Sequence, residues 1–322
     1  MSKDTAFLWY ELFQTKSPII KNPDVLRKIN SNPKLLVDKA LEMSNSELKS
    51  ISRKVELSRF NKSSRTATQI PNHVALYREY EELTRNRIEI IYPGHNSYPE
   101  RLLKFIQHNV PSVLFCKGRP SLLTCCSVSI VGSRNASSEG LKISEEFAGA
   151  LAMHRVNVVS GYAKGIDTSA HLRALRNGGT TSIVLSEGIL QFRIKRVFEG
   201  LKWEGHTLIV SQFHPKDTWK PRNAMIRNKL ICALSEAVII IESAQEKDTS
   251  GRMRGTFACG KTALKMGIPL FVVSPSAFRI APVGNIDLIG RGGLEIDLKN
   301  GIKKIINYLK ANRTQNQVIR PG

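Results

Sequence analysis

Residues 127–190 read SVSIVGSRNASSEGLKISEEFAGALAMHRVNVVSGYAKGIDTSAHLRALRNGGTTSIVLSEGIL, and this stretch decides the fold. Its apolar runs Val128 to Val131, Val156 to Val159 and Ile183 to Leu185 are short, β-branched and bounded by Gly or Ser. That is the pattern of strands buried on both faces of a parallel sheet. Between them lie two segments with helical spacing, Leu141, Phe147 and Leu151 in one and Ala170, Leu172, Ala174 and Leu175 in the other. Strand, glycine-rich turn and helix thus recur twice. The pattern predicts an α/β fold with an open, parallel or mixed sheet whose ligand site lies beyond the C-terminal ends of the strands.

Outward from this core the same grammar continues. On its C-terminal side the pattern predicts a helix over Arg193 to Trp203, a strand over Thr207 to Ser211 and a helix over Arg222 to Leu234. A strand over Ala237 to Glu242, a helix over Thr256 to Met266 and a strand over Pro269 to Val273 follow. A last helix begins at Ile302 to Leu309, and residues 310–322 read as a polar tail. On the N-terminal side, Phe7 to Leu57 has helical spacing punctuated by Pro18, Pro23 and Pro33, and Lys62 to Asn72 reads as a linker. The expected organisation is a small helical region and linker over 1–97, an α/β domain over 98–309 and the tail.

Bulk properties narrow the partners. The 322 residues carry 48 Lys+Arg against 27 Asp+Glu, a net charge of +21 that favours a polyanion, most simply nucleic acid. Five cysteines at 116, 125, 126, 232 and 259 form an odd, scattered set that reads as reduced thiols, not as a metal site or disulfide framework. No apolar run reaches the roughly 18 residues of a membrane span, and the N-terminus lacks a signal-peptide pattern. The expected location is the cytoplasm, and neither metal nor cofactor is expected.

The candidate site residues sit at the strand ends. Gly132, Ser133, Arg134 and Asn135 follow the first core strand, where Arg134 offers a donor fork for phosphate and a helix starting near Ser138 offers free amides. GSRN taken alone also fits a polar turn. Gly161, Tyr162, Lys164 and Gly165 occupy the equivalent place after the next strand; Lys164 adds charge and Tyr162 is the candidate stacking ring, with Phe192, Phe213 and Trp219 as secondary ones. Asp167 and His171, four apart, read as a helix cap and a packed histidine more readily than as an acid–base pair, and serve as polar support. Arg222 and Asn223 suit a backbone phosphate or a base edge. Ser250 and Gly251 suit an anion-binding nest before the helix at Thr256. No GxGxxG pattern is present, which weakens hydride transfer.

Several of these stretches together resemble the DNA processing protein A family, also called DprA or Smf. The resemblance rests on YPERL (98–102), PSVLFCKG (111–118), SIVGSRNASSEG (129–140), SGYAKGIDTSAHLRAL (160–175) and GGTTSIVLSEG (178–188). PRN (221–223), LSEAVIIIESAQEKDTSG (234–251) and the pair Gly284-Asn285 complete it, so that it covers roughly residues 98 to 292. It implies an extended Rossmann-like domain that binds single-stranded DNA, forms a homodimer and helps load a RecA-like recombinase during DNA uptake. It also implies that Gly132, Ser133 and Arg134 form one phosphate turn, that Gly161, Lys164 and Gly165 form a second, and that Arg222 and Asn223 are the family's later Arg-Asn pair. No catalytic residue is carried over.

The chain departs from the family where Ser186-Glu187-Gly188 and LQFRIKRVFEG replace a glycine-rich turn with a Tyr-Pro pair, and where Val273-Ser274-Pro275-Ser276 replaces a Val-Pro-Gly element. Non-enzymatic single-stranded DNA binding in DNA processing, recombination or uptake is therefore the leading expectation. A nucleotide-derivative sensor or hydrolase, and a defence-associated adaptor, are the alternatives.

Overall fold

The computed structural model describes residues 5–14, 23–32, 73–106, 110–251 and 253–318. The part of the Phe7 to Leu57 helical stretch over residues 33–57 and the linker at Lys62 to Asn72 lie outside them. The chain divides into two compact units, 1–116 and 117–322.

The first unit contains α1 (Thr5–Gln14), α2 (Pro23–Ser31), α3 (His73–Arg85), β1 (Ile88–Ile91) and α4 (Glu100–Phe105), and reaches into β2 (Leu114–Gly118), which pairs with β1. Aromatic packing holds it. Trp9 stacks on Tyr92 at 5.7 Å, and Phe7 meets Tyr77 and Tyr80 edge-on at 5.3 and 5.4 Å. The tyrosine of YPERL is a structural tie, since buried Tyr98 donates its hydroxyl to the Pro111 carbonyl at 2.8 Å.

The second unit holds the predicted sheet. Its strands β3 (Ser127–Val131), β4 (Asn157–Ser160), β5 (Thr181–Val184), β6 (Thr207–Ser211), β7 (Ala237–Ile240), β8 (Leu270–Val273) and β9 (Leu294–Ile296) lie in the order β6-β5-β4-β3-β7-β8-β9. Every pairing among these seven is parallel. Helices α5 (Ser138–Met153), α6 (Ile166–Arg176), α7 (Pro221–Ala233), α8 (Gly255–Lys265), α9 (Val283–Gly290) and α10 (Gly301–Val318) complete the unit. The alternation of β3 sorts them. Val128 and Ile130 join a core with Phe147 and Leu151 of α5 and Ile305 and Leu309 of α10. Ser129 points the other way, bonding the Ile231 carbonyl of α7 at 3.1 Å and the Ser235 hydroxyl at 2.6 Å. The fold is thus α/β with a Rossmann-like sheet. Strand order reverses between β3 and β7, which places the topological switch point there.

Three stretches read differently in the structure. Arg193 to Trp203 is not a helix; it is extended chain with one 3-10 turn at Arg196–Phe198. The physical reason is lateral, because the Lys195 amide is spent on the Tyr162 hydroxyl at 2.8 Å and Phe198 is buried against the Tyr162 ring. Helix α9 and edge strand β9 have no counterpart in the sequence reading, both being short and glycine-flanked. Helix α10 runs on to Val318, through residues read as tail. No helix among the described residues is long and apolar enough to cross a membrane.

The pair Gly284-Asn285 is a seam between strand ends. Asn285, fully buried, donates its amide to the Ile241 and Val273 carbonyls, both at 2.8 Å, and accepts from the Ser243 amide at 2.8 Å. Three backbone groups at the ends of β7 and β8 depend on that one side chain. Asn285→Ala is expected to cost on the order of 3 kcal/mol, because each orphaned buried group costs about 1–3 kcal/mol. Urea unfolding should show a lower midpoint at an unchanged slope.

Candidate nucleic-acid interface

The turn after β3 and the turn after β4 close on one another. Ile166, the first residue of α6, donates its amide to the Ser133 carbonyl at 3.2 Å. Gly165 makes this approach feasible: its φ is +83°, and a Cβ there would run into the carbonyls of Ser133 and Arg134. Arg134 and Lys164 are thereby exposed on adjacent turns of one sheet edge. Ser133 donates its amide to the Glu242 carbonyl at 2.9 Å, and its hydroxyl accepts from the Asn135 amide at 3.1 Å, so GSRN is a rigid turn that presents the Arg134 side chain.

Helix α7 brings the third element. Arg222 is exposed in its first turn, while Asn223 and Arg227, four apart on one face, are buried. Arg227 donates to the Val184 carbonyl at 2.9 Å and faces Asp167 across Gly161. A Cβ at Gly161 would collide with both side chains, so this glycine is the space the pair occupies. Burial holds the Asp167 carboxyl above its usual range even though Arg227 pulls it down, and burial also lowers the Arg227 guanidinium. Asp167 Oδ1, Arg227 Nε and Asn223 Nδ2 are buried and carry no hydrogen bond.

Aromatic side chains divide into two sets. The Tyr162 ring stacks on Phe198 at 5.7 Å and meets Phe192 at 5.2 Å, and the Lys195 ammonium sits 4.1 Å from its centroid. This corrects the reading of Tyr162 as a stacking ring: its faces are taken by its own chain. Of the candidate rings Tyr162, Phe192, Phe213 and Trp219, the exposed one is Trp219, 49% accessible, with the Arg134 guanidinium 5.9 Å from its centroid. Trp219 lies three residues before Arg222.

Three further expectations change. Asp167 is not the helix cap; Gly165 holds that position, and Asp167 reaches back from the first turn to the Ala163 amide at 3.4 Å. The start of α5 already faces an anion of the chain itself, because Ser137 caps the Gly140 amide at 3.0 Å and the Glu242 carboxylate accepts from the Ser137 amide at 2.9 Å and hydroxyl at 2.7 Å. Ser250 turns its amide and hydroxyl onto Asp248, at 2.9 and 2.6 Å, and the Gly251 amide bonds the Asp248 carbonyl at 2.9 Å. That loop carries its own anion. What joins it to the site is Thr256, whose hydroxyl donates to the Gly132 carbonyl at 2.9 Å.

Arg227, Lys195 and Glu242 are the residues the sequence reading passed over as site members. The signal for Arg227 was available, since Arg227-Asn228 repeats the dipeptide Arg222-Asn223 and sits one helical turn from Asn223. Nothing local marks Lys195 or Glu242.

Comparison with known proteins places this geometry. The model of a family described as DNA recombination-mediator protein A matches residues 89–310. The chain belongs to the DNA processing protein A family. It is 32% identical over 170 residues to DprA of Streptococcus pneumoniae, covering 52% of this chain and 57% of that protein. It is 30% identical over 234 residues to DprA of Bacillus subtilis, covering 71% and 72%. Among solved structures, S. pneumoniae DprA superposes with a TM-score of 0.65 at 24% identity, over 89% of this chain and 94% of that one. Helicobacter pylori DNA processing protein A, described in a single-stranded DNA binding mode, gives 0.57 at 25% identity over 70% and 97%. The two DprA structures share the fold.

His171 is sealed under this edge. Its Nε2–H donates to the Gly161 carbonyl at 2.5 Å, and its Nδ1 lies 2.6 Å from the Thr181 hydroxyl, which itself donates to the Val158 carbonyl at 2.8 Å. Burial lowers its pKa to about 4. Because the folded value lies below the unfolded one of about 6.5, the unfolded chain takes up the proton first as pH falls. The contribution is complete above pH 6.5, shrinks toward pH 4 and is then spent. It amounts to on the order of 3 kcal/mol. His171→Gln is expected to unfold with a flatter pH dependence than the parent between pH 6.5 and 4, read by urea titration.

Proposed function

We propose that the chain binds single-stranded DNA along the C-terminal edge of its sheet and takes part in DNA processing or recombination without catalysing a reaction itself. The observation that carries the reading is the exposed ring of Trp219 beside the Arg134 guanidinium, with Lys164 exposed on the adjoining turn and Arg222 exposed at the start of the helix that follows Trp219. Unpaired bases stack on such rings while cations hold the backbone. Asn223 and Arg227 lie beneath as donors whose buried Nδ2 and Nε a phosphate oxygen would satisfy. The net charge of +21 supplies long-range attraction. Family membership and the H. pylori relative's binding mode point the same way.

The reading includes a homodimer in the cytoplasm that hands its bound strand to a RecA-like recombinase. Support for self-association is the run of exposed apolar side chains Ile280, Val283 and Ile286, three residues apart, with Leu294 exposed on edge strand β9 at the end of the sheet. Ile286→Glu is expected to leave a folded monomer where the parent sediments as a dimer. A parent that sediments as a monomer at micromolar concentration overturns this part.

Equilibrium binding to labelled single-stranded and duplex oligonucleotides across a salt series tests the main reading. The parent should prefer the single strand. Arg134→Ala with Lys164→Ala should flatten the log–log salt slope by about 1.4, since each phosphate contact on a single strand contributes about 0.7. Trp219→Ala should instead weaken binding by about 1–3 kcal/mol at an unchanged slope. No single-strand binding by folded parent at low salt refutes the reading.

A further inference from the structure

The segment after β5, residues 189–203, has a definite shape. Lys195 fastens it to the turn after β4. Its ammonium, half buried, donates to the Tyr162 carbonyl at 2.6 Å and the Thr168 hydroxyl at 3.0 Å, while its amide takes the Tyr162 hydroxyl. Phe198, fully buried, meets Tyr162 on one side and Trp203 at 5.2 Å on the other. With Lys195 and Phe198 turned inward, the residues between and beside them turn out. Ile194 and Val197 are each 55% accessible, and Arg193 and Arg196 flank them, also exposed.

Two large apolar side chains at that exposure are not there for the core. Nor do the arginines pair with acids: among the described residues no ion pair involves either, and Arg193 uses one guanidinium nitrogen on the carbonyls of Leu190 and Phe192, at 2.9 and 2.8 Å. The surface alternates cation and apolar contact, which is what an unpaired strand offers in reverse, phosphate and base face. It is also continuous with the site described above, since Lys195 rests on Tyr162, two residues before Lys164. In the sheet, β5 lies next to β4 on the side away from β3, so a strand crossing the Arg134 and Lys164 turns in that direction meets this segment next.

The geometry points to residues 193–197 as a second stretch of the single-stranded DNA track, in which Arg193 and Arg196 hold two phosphates and Ile194 and Val197 pack against bases. This rests on the proposed function of the neighbouring turns. It adds that the track runs toward β5 and is lengthened by this segment.

The test compares the parent with Arg193→Gln plus Arg196→Gln, with Ile194→Ser plus Val197→Ser, and with Arg134→Ala plus Lys164→Ala. Each is titrated with oligothymidylates from about 4 to about 16 nucleotides, the range of site sizes for such grooves. All substituted side chains are exposed, and thermal unfolding verifies that each variant is folded. On long strands the arginine variant should flatten the salt slope by about 1.4. The Ile194 and Val197 variant should bind long strands several-fold more weakly at the parental slope. Both should match the parent on the shortest strand, which the Arg134 and Lys164 turns hold alone. Parental affinity and slope on long strands, alongside loss in the Arg134 and Lys164 variant, overturn the extension and leave the main reading standing. Equal losses at all lengths overturn it too, because the segment would then not lengthen the track. A parent that binds no strand ends both readings.

Discussion

Arg227 and Asp167 take opposite charges out of water where β4 and β5 end, and the surrounding turns are shaped by the need to keep them together. Gly161, having no side chain, leaves the space in which the two groups face one another, and the Val184 carbonyl accepts from the guanidinium; a buried charge is costly unless opposed and hydrogen-bonded. His171 then anchors the Gly161 carbonyl from below. The exposed cations stand on this foundation: Lys164 is carried on the turn that Gly161 begins, and Arg134 on the turn packed against it.

The switch point between β3 and β7 is handled differently from the nucleotide sites for which such folds are known. There a helix N-terminus meets a ligand's phosphates. Here the start of α5 meets Glu242, a carboxylate delivered by the next strand over, and the Ser250 loop likewise folds around Asp248. Each of these anions occupies a donor-bearing turn from within the chain. A ligand held by side-chain cations and an exposed ring, on the rim instead of in the crevice, is consistent with that economy.

Much of the second unit was legible because its strands are written as β-branched runs between glycines, and β3 to β8 fall within a residue or two of their expected positions. Side-chain direction was not legible. Tyr162 and Trp219 are both aromatics in polar loops, and only the packing of Phe192, Phe198 and Lys195 distinguishes the enclosed ring from the exposed one. Arg222 and Arg227 share a dipeptide context, yet a helix rotates one to solvent and the other inward. The helical pattern over 193–203 was overridden by tertiary contacts that no local spacing encodes. Short α9 and β9 lacked enough residues to display a period.

The aromatic cluster of Tyr162, Phe192, Phe198 and Trp203 has a thermodynamic consequence. It joins two loops that would otherwise wander independently, so the entropy of arranging them is lost when the chain folds and not when a partner arrives. Ordering each rotamer-rich side chain at a binding surface costs about 0.5–1.5 kcal/mol, and a platform already fixed by ring packing avoids part of that cost. Encounter then becomes a matter of diffusion guided by charge, with little folding left to do on contact. The rings that never touch the ligand would thus set how quickly it is captured.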